Sequence, residues 1–72
     1  MPARRRPFHM YSVFVSREAA PDALMTEMIY HDSSLRRAQV AFAQAVMTRR
    51  DVYAVEIHRD LDLLVRVHIE RP

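Results

Sequence analysis

The sequence has no cysteine and no glycine. Because cysteine is absent, a disulfide framework and a thiolate metal site are excluded, which fits a reducing compartment. Because glycine is absent, there is no glycine-rich phosphate cradle, and any turn that needs positive φ must use aspartate, asparagine or histidine. No cofactor is therefore expected.

Long apolar runs are also missing. The amino-terminal stretch MPARRRPFHMYSVFV is charged and has no apolar run longer than residues 13–15, a pattern typical of neither a signal peptide nor a membrane anchor. We expect a cytoplasmic protein with no membrane partner. The 72 residues suffice for one core only, because a domain of this size buries roughly 60% of its unfolded surface.

Lysine is absent too, and all 11 strongly basic residues are arginine, whose planar guanidinium suits carboxylates and phosphates. The formal net charge of +2 is unevenly distributed, because four arginines precede the first acid, Glu18. Residues 1–7, MPARRRP, are predicted to be a flexible basic arm suited to phosphate or an acidic partner. Residues 8–72 are predicted to form a single α+β domain.

One stretch, residues 32–50, has a clear helical period. Asp32, Ser33 and Ser34 are candidate N-caps, and Arg49 and Arg50 stand where the negative end of the helix dipole favours cations. One arc of the helix is apolar and predicts packing against a sheet. Its members are Leu35, Ala38, Ala41, Phe42, Ala45 and Val46.

Alternating apolar and polar residues predict strands at 8–17, 52–59 and 63–71. A three-residue loop at 60–62 would keep the apolar side chains of the last two strands on the same face of the sheet. It would also place Glu56 opposite Arg66. Residues 23–31 fit either a strand or a helix. We favour the strand, because a hairpin with the first strand completes a sheet large enough to cover the helix.

The predicted architecture is α+β, a two-layer ββαββ arrangement in which one helix packs on one face of an antiparallel sheet, with βααββ as the alternative. The predicted core consists of Tyr11, Val13, Val15, Leu24, Met28, Leu35, Ala38, Phe42, Ala45, Val46, Val55, Ile57, Val65, Val67 and Ile69. The alternation in residues 52–59 also predicts that Tyr53 points inward, on the same face as Val55 and Ile57.

Two apolar surfaces remain outside this core. The helix carries a second stripe of Val40, Ala43 and Met47 beside Arg36, and methionine and arginine are enriched at protein interfaces. The outer sheet face would carry Phe14, Met25, Ile29 and Leu64 among Glu56, His58, Arg66 and His68, and apolar patches of this kind mark interaction sites. The predicted partner-binding residues are Arg36, Arg37, Val40, Met47, Phe14 and Arg66. A second copy of the chain is one candidate partner.

No pattern supports a metal site or catalysis. His58 and His68 share the outer face but are separated by roughly 13 Å along the strands, at about 3.3 Å per residue. In the sequence, no serine has a neighbouring histidine–acid arrangement of the kind that activates a nucleophile. We therefore expect neither a bound metal nor enzymatic activity.

The order of elements, a strand, then Asp32-Ser33-Ser34-Leu35, a helix, and strands from residue 52 onward, resembles that of small phage-encoded inhibitors of the anti-CRISPR kind. The resemblance covers residues 11–71 as a layout and contains no family-specific motif, so no functional residue is carried over. It implies an inhibitor that binds a Cas effector, with arginines competing for carboxylates or for nucleic-acid-binding surfaces.

Two functions follow as hypotheses. The first is a small non-enzymatic protein-binding module, an inhibitor that occupies a surface of a larger Cas-type or other nucleic-acid-handling complex. The alternative is a nucleic-acid-binding protein that uses its basic arm, strengthened if a homodimer doubles the arms. The residues predicted to contact nucleic acid in that case are Arg4, Arg5, Arg6, Arg49 and Arg50.

Overall fold

The computed structural model of the chain describes residues 8–20, 23–48 and 51–69. Its elements follow the order β1 (Tyr11–Ala20), β2 (Ala23–Asp32), α1 (Leu35–Thr48), β3 (Val52–Arg59) and β4 (Asp62–His68). The predicted ββαββ arrangement is confirmed, and residues 23–31 lie in a strand rather than a helix. The predictions that involve residues 1–7, Arg49 and Arg50 concern positions outside the described residues.

All four strands belong to one antiparallel sheet, in the order β2-β1-β3-β4. The two hairpins therefore lie side by side, with β1 and β3 in the centre and β2 and β4 at the edges. Strand β1 is rich in valine and aromatic residues, whose side chains favour a pleated, half-buried surface. Helix α1 crosses one face of this sheet.

The core lies between α1 and the two central strands. Val13 is paired with Ile57 and Val15 with Val55, and all four side chains are buried. Ala38 and Ala45 are the buried residues of α1, and such small side chains let the helix backbone approach the sheet closely. Within the described residues, the largest fully buried side chains are valines, so the core is thin.

Two irregularities in strand pairing overturn predicted inward positions, and a third restores a predicted register. Between β1 and β2, Val13 pairs with Tyr30 and the next residue, Phe14, pairs with Met28. Ile29 is therefore an extra residue in β2. With an extra residue of this kind, the side chains before it lie on the opposite face from the one that strict alternation with the residues after it predicts. The prediction that Leu24 and Met28 are core residues is therefore wrong, and both are more than half exposed.

The second irregularity explains another error. Ser16 pairs with Ala54 and Arg17 with Val52, so Tyr53 is the extra residue in β3. Val52 takes the inward position and is buried, whereas Tyr53 is exposed and contacts His68 edge to face, with ring centroids 5.3 Å apart. The expectation that Tyr53 points inward is wrong for this reason.

The third irregularity lies in the β3–β4 hairpin. Arg59 pairs with Asp62, which leaves two residues in the loop instead of the predicted three, but Leu64 is an extra residue further along. The extra residue restores the predicted register, so Glu56 lies opposite Arg66 as expected. Asp60, the first of the two loop residues, has a φ of 55°. Aspartate tolerates this left-handed conformation better than most residues.

The helix that the structure describes, α1, lacks the length and apolar character needed to span a membrane.

Candidate functional site

An apolar groove opens between α1 and the edge strand β4. The helix packs on β1, β2 and β3, whereas no Cα atom of α1 lies within 8 Å of a Cα atom of β4 in the described chain. The space between these two elements forms a groove of about 350 Å³. It is lined by Leu35, Gln39, Phe42, Ile57, Leu64 and Val65.

The lining of the groove is both apolar and accessible. Leu35, Leu64 and Val65 are 39%, 41% and 46% exposed, respectively. Leu35 and Val65 were predicted to be core residues, and that prediction is wrong because α1 stops short of β4. Apolar side chains that meet in a concave site and remain half exposed are typical of a binding surface.

The open backbone edge of β4 borders this groove. Such an edge presents unpaired N–H and C=O groups to any strand that approaches it. The other edge strand, β2, carries an inward-facing charge, because Glu27 pairs with Val15 and binds Arg17 through a 2.5 Å contact between Oε1 and Nη2. Inward-facing charge blocks strand addition, and the helix side of β4 instead presents Val65 and Val67.

Four of the predicted partner-binding residues lie on α1, and all are exposed. Val40 is 51% and Met47 is 81% exposed, and Arg36 and Arg37 are exposed in the first turn. No acidic residue occupies that turn, and among the described residues no carboxylate forms an ion pair with either arginine. Asp32, the acid that precedes the helix in the sequence, accepts a hydrogen bond from Ser33 N at 2.7 Å.

The other two predicted residues, Phe14 and Arg66, lie on the outer face of the sheet and are engaged there. The Phe14 ring contacts His58 edge to face with centroids 5.0 Å apart. Glu56 binds His58 Nε2 at 2.8 Å and Arg66 Nε at 3.2 Å. The structure therefore separates the six predicted residues into two groups on opposite sides of the molecule.

The predicted composition of the outer face is partly wrong. Phe14, Glu56, His58, Arg66 and His68 occupy positions in register across it. Leu64 instead lines the groove on the helix side, Ile29 packs against the core, and Met25 pairs with Arg17. Met28, opposite Phe14, takes their place.

One serine–histidine contact was not foreseen from the sequence. Ser12 Oγ lies 2.8 Å from His31 Nδ1, because the two residues pair across β1 and β2. Ser12 is only 6% exposed, and in the described chain no carboxylate lies within ion-pair distance of His31. A nucleophile needs access to substrate and an oriented base, so this pair is a structural contact.

Metal binding gains no support from the side-chain positions. Across residues 8–20, 23–48 and 51–69, no group of three or more histidine, aspartate or glutamate side chains is placed to hold an ion. The histidines are distributed instead among separate partners, such as His9 with Asp60 and His58 with Glu56.

Comparison with known proteins provides no identity for this chain, since no protein-family model, no curated protein and no solved structure matches it.

Proposed function

We propose that this domain is a small non-enzymatic protein-binding module and that the groove between α1 and β4 is its binding site. The observation that carries the proposal is the separation of α1 from β4, which leaves Leu35, Leu64 and Val65 half exposed in a concave apolar site. A protein partner removes these side chains from water, and the favourable transfer free energy is about 25 cal/mol for each Å² of apolar surface buried.

The partner of this module is a segment of a larger protein that reaches the groove and the edge of β4 together. Strand addition at a sheet edge uses main-chain hydrogen bonds for affinity and neighbouring pockets for side-chain specificity. The groove supplies such a pocket directly beside the open edge. The β2 edge, with Glu27 facing inward, suits strand addition less well.

The resemblance in layout to anti-CRISPR inhibitors gives the first class of partner to test. A Cas effector or another nucleic-acid-handling complex is the partner we propose, and the module acts by occupying a surface of that complex. The alternative function, nucleic-acid binding through the arginine arm, stays a prediction because Arg4, Arg5 and Arg6 lie outside the described residues.

The test compares two leucine-to-aspartate variants of the purified protein. Leu64→Asp places a charge in the groove, whereas Leu61→Asp makes the same change at the hairpin tip, where Leu61 is 96% exposed and outside the groove. We expect wild type and Leu61→Asp to capture the same protein from the source cell. Binding of that protein to Leu64→Asp, measured by titration calorimetry, should weaken at least about tenfold, which corresponds to 1.4 kcal/mol.

Circular dichroism and urea denaturation of both variants control for loss of the fold. If a folded Leu64→Asp protein binds the captured partner with wild-type affinity, the groove is not the binding site. If wild type captures no partner from cell extracts that contain Cas effectors and other nucleic-acid-handling complexes, the proposed function itself fails.

A further inference from the structure

We propose that the segment bound by the groove is acidic: an extended chain that adds to β4, places apolar side chains in the groove and pairs a carboxylate with Arg36. This chemistry of the partner rests on the proposed function and specifies which segment the groove takes. The observation behind it is an exposed arginine at the rim of the groove. Among the described residues, no carboxylate lies within ion-pair distance of that arginine.

Arg36 lies on the side of α1 that borders the groove. Successive residues of a helix are rotated by about 100°. Viewed down the helix, the lining residues Leu35 and Gln39 are therefore about 60° and 100° from the buried Ala38. Arg36 lies about 60° beyond Gln39 in the same direction, whereas Arg37 lies about 160° beyond it. Of the two arginines in the first turn, only Arg36 is thus at the rim.

The acidic residues near the helix and the groove leave the charge of Arg36 unbalanced. Asp32 ends β2, which is the edge of the sheet opposite β4. Asp62 begins β4 but pairs in register with Arg59, so the start of that strand carries one charge of each sign. Glu56 binds its partners on the outer face of the sheet. The groove itself is lined by uncharged side chains, so Arg36 determines the charge that its occupant meets there.

The helix dipole adds to this preference for an anion. Arg36 is in the first turn of α1, at the positive end of the dipole, and no acid occupies that turn. A carboxylate brought there by the occupant gains from the dipole and forms charge-assisted hydrogen bonds with the guanidinium. A basic side chain at the same place is repelled by both. Charge therefore selects an acidic segment over a basic one.

Strand addition at β4 also specifies the spacing of the residues that are recognised. In an added strand, alternate side chains point to the helix side of the sheet, the side on which β4 presents Val65 and Val67. Side chains two positions apart then lie on that side about 7 Å from each other. One of them fills the groove, and its neighbour reaches the rim. We therefore expect an apolar and an acidic residue separated by one position.

Selection of random peptides displayed on phage against the immobilised full chain tests this pattern. Wild type should enrich peptides with an apolar residue and an aspartate or glutamate two positions apart. Arg36→Glu should enrich basic residues at the acidic position instead, because the charge at the rim is reversed. Arg37→Glu is the matched control and should enrich the same peptides as wild type. Both substitutions add an acid to the first turn, where the dipole favours it, and circular dichroism checks that both variants are folded.

The affinity of one enriched synthetic peptide, measured by fluorescence anisotropy, separates the outcomes. Arg36→Glu should weaken binding at least about threefold, Arg37→Glu should not, and a lysine in place of the peptide's acid should restore binding to Arg36→Glu.

Peptides that need Leu64 but show no acidic preference, or that bind Arg36→Glu as tightly as wild type, overturn this inference and leave the groove as the binding site. Peptides that bind Leu64→Asp like wild type, or a selection that enriches none, contradict the proposed function and the inference together. A dimer of the full chain in light scattering that Leu64→Asp dissolves would place a second copy in the groove and overturn the acidic segment as its occupant.

Discussion

Asp60 connects the β3–β4 hairpin to the segment that leads into β1. Its Oδ1 accepts a hydrogen bond from Met10 N at 3.0 Å, its Oδ2 lies 2.7 Å from His9 Nδ1, and its N–H donates to Met10 O at 2.6 Å. The residue also has a φ of 55°. In a chain without glycine, aspartate thus provides both the unusual backbone conformation and the side-chain contacts.

Substitutions at Asp60 should separate these two roles. Asp60→Ala loses both, and we expect it to lower the free energy of unfolding by about 1–3 kcal/mol. Asp60→Gly removes only the side-chain contacts, and Asp60→Asn retains an acceptor for Met10 N, so both should cost less than alanine. Urea denaturation of the three variants is the measurement, and an alanine variant as stable as wild type would show that neither role matters.

At the scale of the element, helix α1 begins with a single effective cap. Ser34 Oγ accepts a hydrogen bond from Arg37 N at 3.1 Å, the contact expected of an N-cap residue. Asp32 and Ser33, the other two candidates from the sequence, hydrogen bond to each other. The sequence predicted a cap within these three residues, and only the position of the first helical turn decides among them.

Alanine substitutions test this assignment. Ser34→Ala should lower the free energy of unfolding by about 1 kcal/mol, which for a domain of this size lowers Tm by roughly 4–8 °C. Ser33→Ala is the matched control and should lie within about 0.5 kcal/mol of wild type. Thermal denaturation followed by circular dichroism measures both, and equal losses in the two variants would rule out Ser34 as the dominant cap.

The sequence predicted the helix and the strands themselves but not the irregularities in strand pairing. Residue types and their alternation identified all five elements and the pairing of Glu56 with Arg66. The extra residues Ile29, Tyr53 and Leu64 were not predictable, because each inserts one residue into a pattern of period two without a glycine or proline to signal it. The extra residues in β2 and β3 displaced neighbouring side chains from the expected face, whereas Leu64 left the predicted pairs in place and is itself found in the groove.

The candidate site was missed at the scale of the whole molecule. Leu35 and Val65 were correctly recognised as inward-facing apolar residues, yet whether they meet depends on the position of the helix across the sheet. Helix α1 lies over β1, β2 and β3 and leaves β4 uncovered. No local sequence signal encodes that offset, because it results from the packing of Ala38 and Ala45 against the central strands.

The molecule is elongated, with principal extents of 54 × 24 × 15 Å, and its packing is concentrated in one part of that length. Val13, Val15 and Val55 are fully buried under the helix. The first half of β2 pairs only with β1, and its side chains are exposed from Ala23 through Met28. Segments with few buried contacts open locally without global unfolding.

The rates of amide hydrogen exchange should therefore differ along the length of the sheet. Among amides that hydrogen bond within the sheet, those of Val13, Val15 and Val55 should exchange only through global unfolding. Those near Leu24 and Met25 should exchange at least about 100-fold faster through local opening of the hairpin end. NMR-detected hydrogen exchange measures both sets. Equal protection of the two sets would mean that the hairpin end and the core unfold as one cooperative unit, which the distribution of buried valines does not support.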